Sequence, residues 1–302
     1  MSFCSDVKKE ISASPLPHAC CRRAFAYGLM QGAHAFDLNE MSIQTEHRAV
    51  AAAYAAVITA LFEDVSFLEQ TTPRKNGAYY TVSVADEADR FAILDSFGHT
   101  GREPNLRLNR ANLDCDMCGA AYLRGMFLAC GAVSEPESAY HLEMSVPTHK
   151  LCGDLLTLLG ENEMAFKSIV RKGCNVLYLK DKDCIADFLA MIGAQSGSLH
   201  LYQAMVFKDI RNKINRQMNC ESANMDKTVA AAADQLRAVS RIAEHGGLSQ
   251  LPDDLRELAA LRLEHPEYSL RELGEALDPP LSRSGVNHRL RRITVFAQEL
   301  AD

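Results

Sequence analysis

The pattern of apolar and polar positions in the first two-thirds of the chain predicts the same succession of elements twice. An apolar stretch with a central glycine has helical spacing at 20–33 (CCRRAFAYGLMQGA) and again at 117–130 (MCGAAYLRGMFLAC). Runs rich in β-branched and aromatic residues then predict strands, most clearly AYYTVSV ending at 84 and NVLYL at 175–179. Further strands are predicted at 41–45 and 140–146, and further helices at 48–61, 88–97, 150–159 and 183–192. Each half is therefore expected to be an αββαββ-like unit with mostly antiparallel strands.

Equivalent residues of the two halves, such as Gly28 and Gly125, are separated by a constant 97 positions. A constant offset predicts a duplicated unit with pseudo-two-fold symmetry. Glycine inside a helix costs about 1 kcal/mol relative to alanine, and a close approach of two helices offsets that cost. Each glycine is the middle one of three small residues spaced by four, so the two helices are expected to pack closely together. They are Ala24, Gly28 and Gly32 in the first copy and Ala121, Gly125 and Ala129 in the second.

The chain is expected to be wholly helical after about residue 193. A helix at 224–245 stops at a Gly-Gly pair, and another at 253–264 lies between prolines. Ser269 and Glu272 form a predicted capping box before a short helix, and Ser282 is the predicted N-cap of a longer basic helix. A short helix, a turn and a longer basic helix follow one another in a helix-turn-helix.

These patterns predict an α/β (α+β) duplicated domain with pseudo-two-fold symmetry, followed by an all-α helix-turn-helix domain. The expected boundaries are a first repeat at 1–110, a second repeat at 111–205, a basic linker at 206–224 and the helix-turn-helix DNA-binding domain at 225–302.

The composition of the chain indicates the cellular compartment in which the protein is expected. The chain has 302 residues, 47% hydrophobic and 24% charged, with a formal net charge of −7. It has no apolar run of about 20 residues, and its start has no apolar segment typical of a signal peptide. A cytoplasmic, nucleoid-associated protein without a membrane partner is therefore expected, with its ten cysteines kept as reduced thiols. The negative charge disfavours non-specific binding to nucleic acid unless basic residues are concentrated locally.

The last helix concentrates positive charge in this way, because no acid occurs from 281 to 298. Apolar spacings of three and four assign Val286, Leu290 and Ile293 to the core. The remaining positions are expected to contact DNA, since arginine suits guanine edges and asparagine suits adenine. The expected DNA-binding residues are Arg283, Ser284, Asn287, His288, Arg289, Arg291 and Arg292. The alternative is a basic helix that is merely solvated.

Two further groups of basic residues are candidates for contacts with the DNA backbone. Arg74 and Lys75 are equivalent to Arg171 and Lys172 in the second copy, and both pairs precede a predicted strand. The predicted linker carries the second group, which consists of Lys208, Arg211, Lys213 and Arg216. In both cases the alternative is that the charges only solvate a turn or a linker helix.

The repeated glycine-centred helix resembles the LAGLIDADG helix of homing endonucleases. In that family two such helices pack along a pseudo-two-fold axis beneath a saddle-shaped sheet, and an acid before the final glycine holds the metal for phosphodiester cleavage. Aligned on the shared glycine, this sequence has Ala33 and Cys130 at the acidic positions. Neither side chain replaces a hard oxygen ligand for Mg²⁺, and Asp37 and Glu135 lie in the following loops at unequal offsets. No catalytic residue is therefore expected.

Over essentially its whole length the chain resembles the WhiA family. The strings that carry the resemblance are CCRRA at 20–24, YLRG at 122–125, RNKINRQMNCESANMDKT at 211–228 and LSRSGVNHRLRRI at 281–293. The resemblance implies a bacterial transcription regulator of cell division or sporulation that binds double-stranded DNA, with another transcription factor or RNA polymerase as a further partner. Two alternatives stay open, which are an active site-specific endonuclease and a protein-interaction platform.

The cysteines raise the question of a metal. Cys115 and Cys118 form a CxxC, Cys20 and Cys21 are adjacent, and Cys21 is repeat-equivalent to Cys118. A four-cysteine zinc site is conceivable. A single CxxC is weak evidence for one, so the sequence favours buried or surface thiols, with no metal and no cofactor.

Overall fold

The computed structural model describes residues 2–62, 64–75, 77–103 and 106–300. Within it the chain divides into one compact unit up to Asp209 and a second from Ile210 onward.

The first unit contains the duplication predicted from the sequence. The first copy consists of α2 (Ala19–Gln31), β1 (Ala35–Phe36), β2 (Met41–Thr45), α3 (Arg48–Leu61), β3 (Phe67–Arg74), β4 (Gly77–Val84) and α4 (Glu87–Ser96). The second consists of α5 (Cys118–Cys130), β5 (Gly131–Val133), β6 (Leu142–Val146), α6 (His149–Glu161), β7 (Lys167–Arg171), β8 (Cys174–Leu179) and α7 (Lys182–Met191). The antiparallel sheets have the matching orders β1-β2-β4-β3 and β5-β6-β8-β7.

Helices α2 and α5 pack against each other through their glycines. A Cβ atom on Gly28 would lie 2.1 Å from the carbonyl oxygen of Tyr122, and one on Gly125 would lie 2.2 Å from that of Phe25. Further along, Gly32 approaches Ala129. Contacts therefore advance in step along both helices, which run in the same direction. The close packing predicted from the small residues is confirmed.

The first helix, α1 (Phe3–Ala13), was not predicted. It inserts Phe3, Val7 and Ile11, one per turn, into the core of the first unit. The carboxylate of Glu10 accepts hydrogen bonds from the backbone amides of Ser196 (2.7 Å) and Gly197 (3.1 Å), at the start of the helix that follows α7. The spacing of three apolar residues by four is the sequence signal that indicates this helix.

Helix α8 (Gln195–Glu244) runs from the first unit into the second, so the predicted linker at 206–224 lies inside a continuous helix. The second unit continues with α9 (Asp253–Glu264), α10 (Leu270–Glu275) and α11 (Arg283–Glu299). Their buried apolar side chains, together with Val239 and Ile242 of α8, form a separate core. The predicted capping box at Ser269 and the predicted cap at Ser282 are both present.

Candidate nucleic-acid interface

Helix α11 has one buried and one exposed face. Val286, Leu290 and Ile293 are buried in the core of the second unit, as the spacing predicts. The Ser282 hydroxyl accepts a hydrogen bond from the backbone amide of Gly285 and so fixes where the helix begins. The side chains at 283, 284, 288 and 291 are exposed and Asn287 is half-buried. These five residues lie on the outward side of α11, between its first residue and the start of its third turn.

Arg289 and Arg292, also predicted to contact DNA, contact α9 instead of lying fully in solvent. Arg289 donates to the backbone carbonyl of Asp254 (2.9 Å), and Arg292 donates to the Asp254 carboxylate (2.7 Å). Asp254 lies in the first turn of α9, where a negative charge is favourable. These contacts tie α11 to α9, and a DNA contact by either arginine stays a prediction.

The two repeat-equivalent basic pairs lie at the tips of equivalent hairpins. Arg74 ends β3 and Arg171 ends β7, and the following lysines lie in the turns to β4 and β8. Lys172 has a φ of 51°, in the left-handed region that tight turns use. All four side chains are exposed. The duplication therefore presents two matched positive tips, as the constant offset predicts.

The basic residues of α8 differ in their surroundings. Lys208 donates to the backbone carbonyl of Pro136 (2.7 Å) and lies 4.4 Å from the centre of the Tyr140 ring, so it is engaged within the first unit. Arg211, Lys213 and Arg216 are exposed on the helix surface.

The two positions that correspond to the metal-binding acids lie where α2 and α5 end. Ala33 is buried, and the Cys130 thiol donates to the carbonyl of Met126 (3.2 Å). Burial raises the pKa of Cys130 to about 12, although the positive charge of Lys8 opposes that shift. At neutral pH this thiol is therefore protonated and uncharged. Lys8 of α1 is itself buried, which lowers its pKa, and it is a residue that the sequence analysis missed.

Both carboxylates that follow these positions accept hydrogen bonds from backbone amides. Glu135 accepts a hydrogen bond from the backbone amide of Phe3 (2.7 Å) at the start of α1. Asp37 accepts from the backbone amides of Asn39 (2.7 Å) and Glu40 (3.0 Å) in its own turn. Both carboxylates thus have local structural partners.

Two family models match the chain: the WhiA LAGLIDADG-like domain over residues 119–211 and the WhiA C-terminal HTH domain over residues 214–297. A protein of Carboxydothermus hydrogenoformans named "Probable cell division protein WhiA" is 33% identical over 307 residues, which cover 99% of this chain and 98% of that relative. This chain belongs to the WhiA family. A WhiA relative from Alkaliphilus metalliredigens, with the same printed name, is 36% identical over 315 residues, covering 98% of both chains.

The fold of the family agrees with the architecture described above. The crystal structure of full-length WhiA from Thermotoga maritima covers 100% of both chains, with a TM-score of 0.59 and 24% sequence identity. A LAGLIDADG-like domain followed by a helix-turn-helix domain is therefore the shared WhiA arrangement, as the resemblance implied. Within the part of the chain that the structure describes, no helix is both long and apolar enough to cross a membrane.

Proposed function

We propose that this WhiA protein is a sequence-specific regulator of transcription that reads double-stranded DNA with the first two turns of α11. The observation that carries the proposal is the division of α11 into a buried apolar face and an outward polar face at its capped N-terminal end. Helix-turn-helix proteins contact base edges with the N-terminal residues of the second helix. The regulated genes would be those of cell division, since curated relatives bear that name.

The outward residues have the chemistry of base readout. The guanidinium of Arg283 matches the two acceptors of guanine, and the amide of Asn287 matches the donor and acceptor of adenine. His288 and Arg291 continue the same face. Arg289 and Arg292 contribute by holding α11 against Asp254, which fixes the orientation of the reading face.

The proposal includes loss of DNA cleavage by the LAGLIDADG-like unit. Phosphodiester cleavage in this fold needs a carboxylate for a hard divalent cation. Ala33 offers no ligand, and burial raises the pKa of the Cys130 thiol to about 12, so this thiol is protonated at neutral pH. A neutral thiol does not supply the negative charge with which a carboxylate attracts a divalent metal ion.

The reading face is tested by first locating bound sites through chromatin immunoprecipitation and sequencing, with the helix-turn-helix deleted as a control. Affinity for a recovered site is then measured for the full chain and for Arg283→Ala and Asn287→Ala. Each substitution should cost about 1–3 kcal/mol and relax the preference at one base position. Arg237→Ala removes an equal charge from an exposed position of α8 and should have little effect on specificity. Unchanged affinity and specificity in both reading-face variants would exclude the assigned face.

Cleavage is tested separately with supercoiled plasmid, Mg²⁺ and the purified chain. No nicked product is expected above that of a heat-treated sample. Magnesium-dependent nicking that disappears in Asp37→Asn or Glu135→Gln would establish the endonuclease alternative.

A second role for the LAGLIDADG-like unit, as a platform for another transcription factor or RNA polymerase, is favoured by exposed apolar residues on its outer strands. Leu68 on β3 and Ile169 and Val170 on β7 have 63%, 52% and 65% of their surface exposed. Ile169 and Val170 are consecutive on β7, so both faces of this edge strand expose an apolar side chain that a protein partner could cover. Replacing Ile169 and Val170 by threonine keeps strand propensity, so DNA affinity should be unchanged while output from a target promoter falls. Full output from this double variant would remove the case for a platform on β7.

A further inference from the structure

Four cysteines from the two repeats meet at the end of the α2–α5 pair opposite to Ala33 and Cys130. The Sγ atoms of Cys20, Cys21, Cys115 and Cys118 all lie within 4.8 Å of one another. Cys115 is central, with its Sγ atom 3.6 Å from that of Cys20, 3.6 Å from that of Cys21 and 3.4 Å from that of Cys118. Two of the thiols are buried and two are half-buried.

This spacing fits one tetrahedral metal ion. A Zn–S bond of about 2.3 Å in a tetrahedron places neighbouring sulfurs about 3.8 Å apart. The observed cluster has that size, and four soft thiolates select Zn²⁺ over hard cations. The sulfurs lie too close together to surround a cluster of several irons. A closed set of four protein ligands also leaves no position for a substrate, which is typical of a structural site.

Local backbone structure brings the ligands together. Cys20 and Cys21 lie in the first turn of α2, and Cys118 is the first residue of α5. The backbone amide of Cys118 donates to the carbonyl of Cys115 (2.9 Å), and this turn folds the CxxC back on itself. The close packing at Gly28 and Gly125 then aligns the starts of both helices, so residues that are distant in the sequence converge.

The helix ends supply electrostatic support. Among the described residues, neither N-cap position of these two helices, His18 or Met117, provides a side-chain hydrogen bond to its first turn. By contrast, Asp86, Thr148 and Asp181 cap α4, α6 and α7. Cys20, Cys21 and Cys118 lie in the first turns of these helices, so the positive ends of both helix dipoles lie beside the thiol cluster, where they favour negative charge.

We infer that Cys20, Cys21, Cys115 and Cys118 bind one Zn²⁺ ion, which fastens the two repeats of the LAGLIDADG-like unit together at the N-terminal ends of α2 and α5. On binding, each thiol loses its proton to solvent, and four thiolates around Zn²⁺ form a doubly negative centre. The site is one helix length, about 18 Å at about 1.5 Å per residue, from Cys130. It is thus separate from the degenerate cleavage positions and independent of base reading by α11.

The test uses the untagged full chain, purified under reducing conditions from cells supplied with zinc. Metal content is measured by mass spectrometry after dialysis against a chelator. One zinc per chain is expected, and cobalt in its place should give the strong charge-transfer absorption of a tetrahedral tetrathiolate. Cys115→Ser is the main variant, because Cys115 is half-buried and lies in the loop before α5 and not in the packed helix pair. Cys152→Ser removes a buried cysteine elsewhere and is the matched control.

Cys115→Ser should weaken zinc binding by more than about 100-fold, since even groups that only support a ligand change affinity by about 10- to 100-fold. Cys152→Ser should keep the full zinc content. Zinc should also raise the unfolding temperature of the wild-type chain and of Cys152→Ser but not of Cys115→Ser. A chain without zinc, equal zinc in both variants, or a disulfide between any two of the four cysteines would overturn the inference.

Discussion

At the residue scale, Gly28 and Gly125 decide how closely the two repeats approach. The space that a side chain would occupy at each glycine is filled by backbone atoms of the facing helix. Backbone atoms cannot move aside as a flexible side chain does. The glycines therefore lower the intrinsic stability of each helix while allowing an interface that stabilises the pair. Packing also changes single residues near the C-terminal ends of α2 and α5. Burial lowers the pKa of Lys8 and raises the pKa of Cys130.

Replacing Gly28 or Gly125 by alanine should destabilise the first unit by about 3 kcal/mol or more, since the added methyl would overlap backbone atoms. Gly153→Ala is the matched control, because Gly153 lies inside α6 with no described atom within 4 Å of the added Cβ. That substitution should stabilise by about 0.5–1 kcal/mol. Denaturant unfolding of the full chain measures both. Equal stabilities for all three variants would contradict the close packing of α2 and α5.

At the scale of elements, a single arginine fastens α1 to the duplicated core. Arg124 of α5 is buried and donates from Nε to the carbonyl of Ile11 (2.8 Å) and from an Nη atom to that of Ser14 (2.6 Å). These carbonyls belong to the C-terminal end of α1, where helix carbonyls lack partners and positive charge is favourable. The guanidinium also lies 5.7 Å from the centre of the Phe25 ring.

Arg124→Leu should therefore destabilise the first unit by about 2–4 kcal/mol, because it leaves buried carbonyls without donors. Arg124→Lys should recover only part of this loss, since an ammonium group cannot reach both carbonyls with the geometry of a guanidinium. Hydrogen exchange should show that α1 opens first. Arg110→Leu is the control: its ion pair with Glu161 is exposed and should contribute less than about 1 kcal/mol. Protection of α1 that survives in Arg124→Leu would show that another contact holds this helix.

At the scale of the whole molecule, the distribution of charge matters more than its sum. The chain has a net charge of −7, yet positive residues gather on α11, on the exposed part of α8 and at the two hairpin tips. Such local patches attract DNA even in an acidic protein. The duplication places one basic pair in each repeat, which suits the near-symmetry of a duplex.

If the hairpin tips contact phosphates, replacing all four of their basic residues by alanine should weaken binding to specific and random DNA alike. The slope of log affinity against log salt should flatten by about 0.9 for each lost phosphate contact. The four residues are Arg74, Lys75, Arg171 and Lys172. A control with the same change of net charge replaces four other exposed residues outside α8 and α11, namely Lys9, Arg48, Arg102 and Lys150. Identical slopes for the two variants would show that the tips do not touch DNA and would favour the platform role.

The sequence by itself determined the features that depend on neighbours along the chain. Periodicity predicted the main helices and strands of both repeats, the constant offset predicted the duplication, and capping residues predicted where α10 and α11 begin. These signals are local, because caps and apolar faces involve residues within a few positions of each other. Strand β3 was less clear because it is an exposed edge strand that contains Pro73, which a central strand does not tolerate.

Only the tertiary structure decided the features that join distant parts of the sequence. It brought Asp254 to two arginines of α11, placed Lys8 near Cys130, and used Arg124 to hold the end of α1. It also gathered four cysteines around one point, where the spacing of a single CxxC had favoured separate thiols. Each of these outcomes depends on the packing of whole helices against each other, and spacing along the chain does not specify which side chains that packing brings into contact.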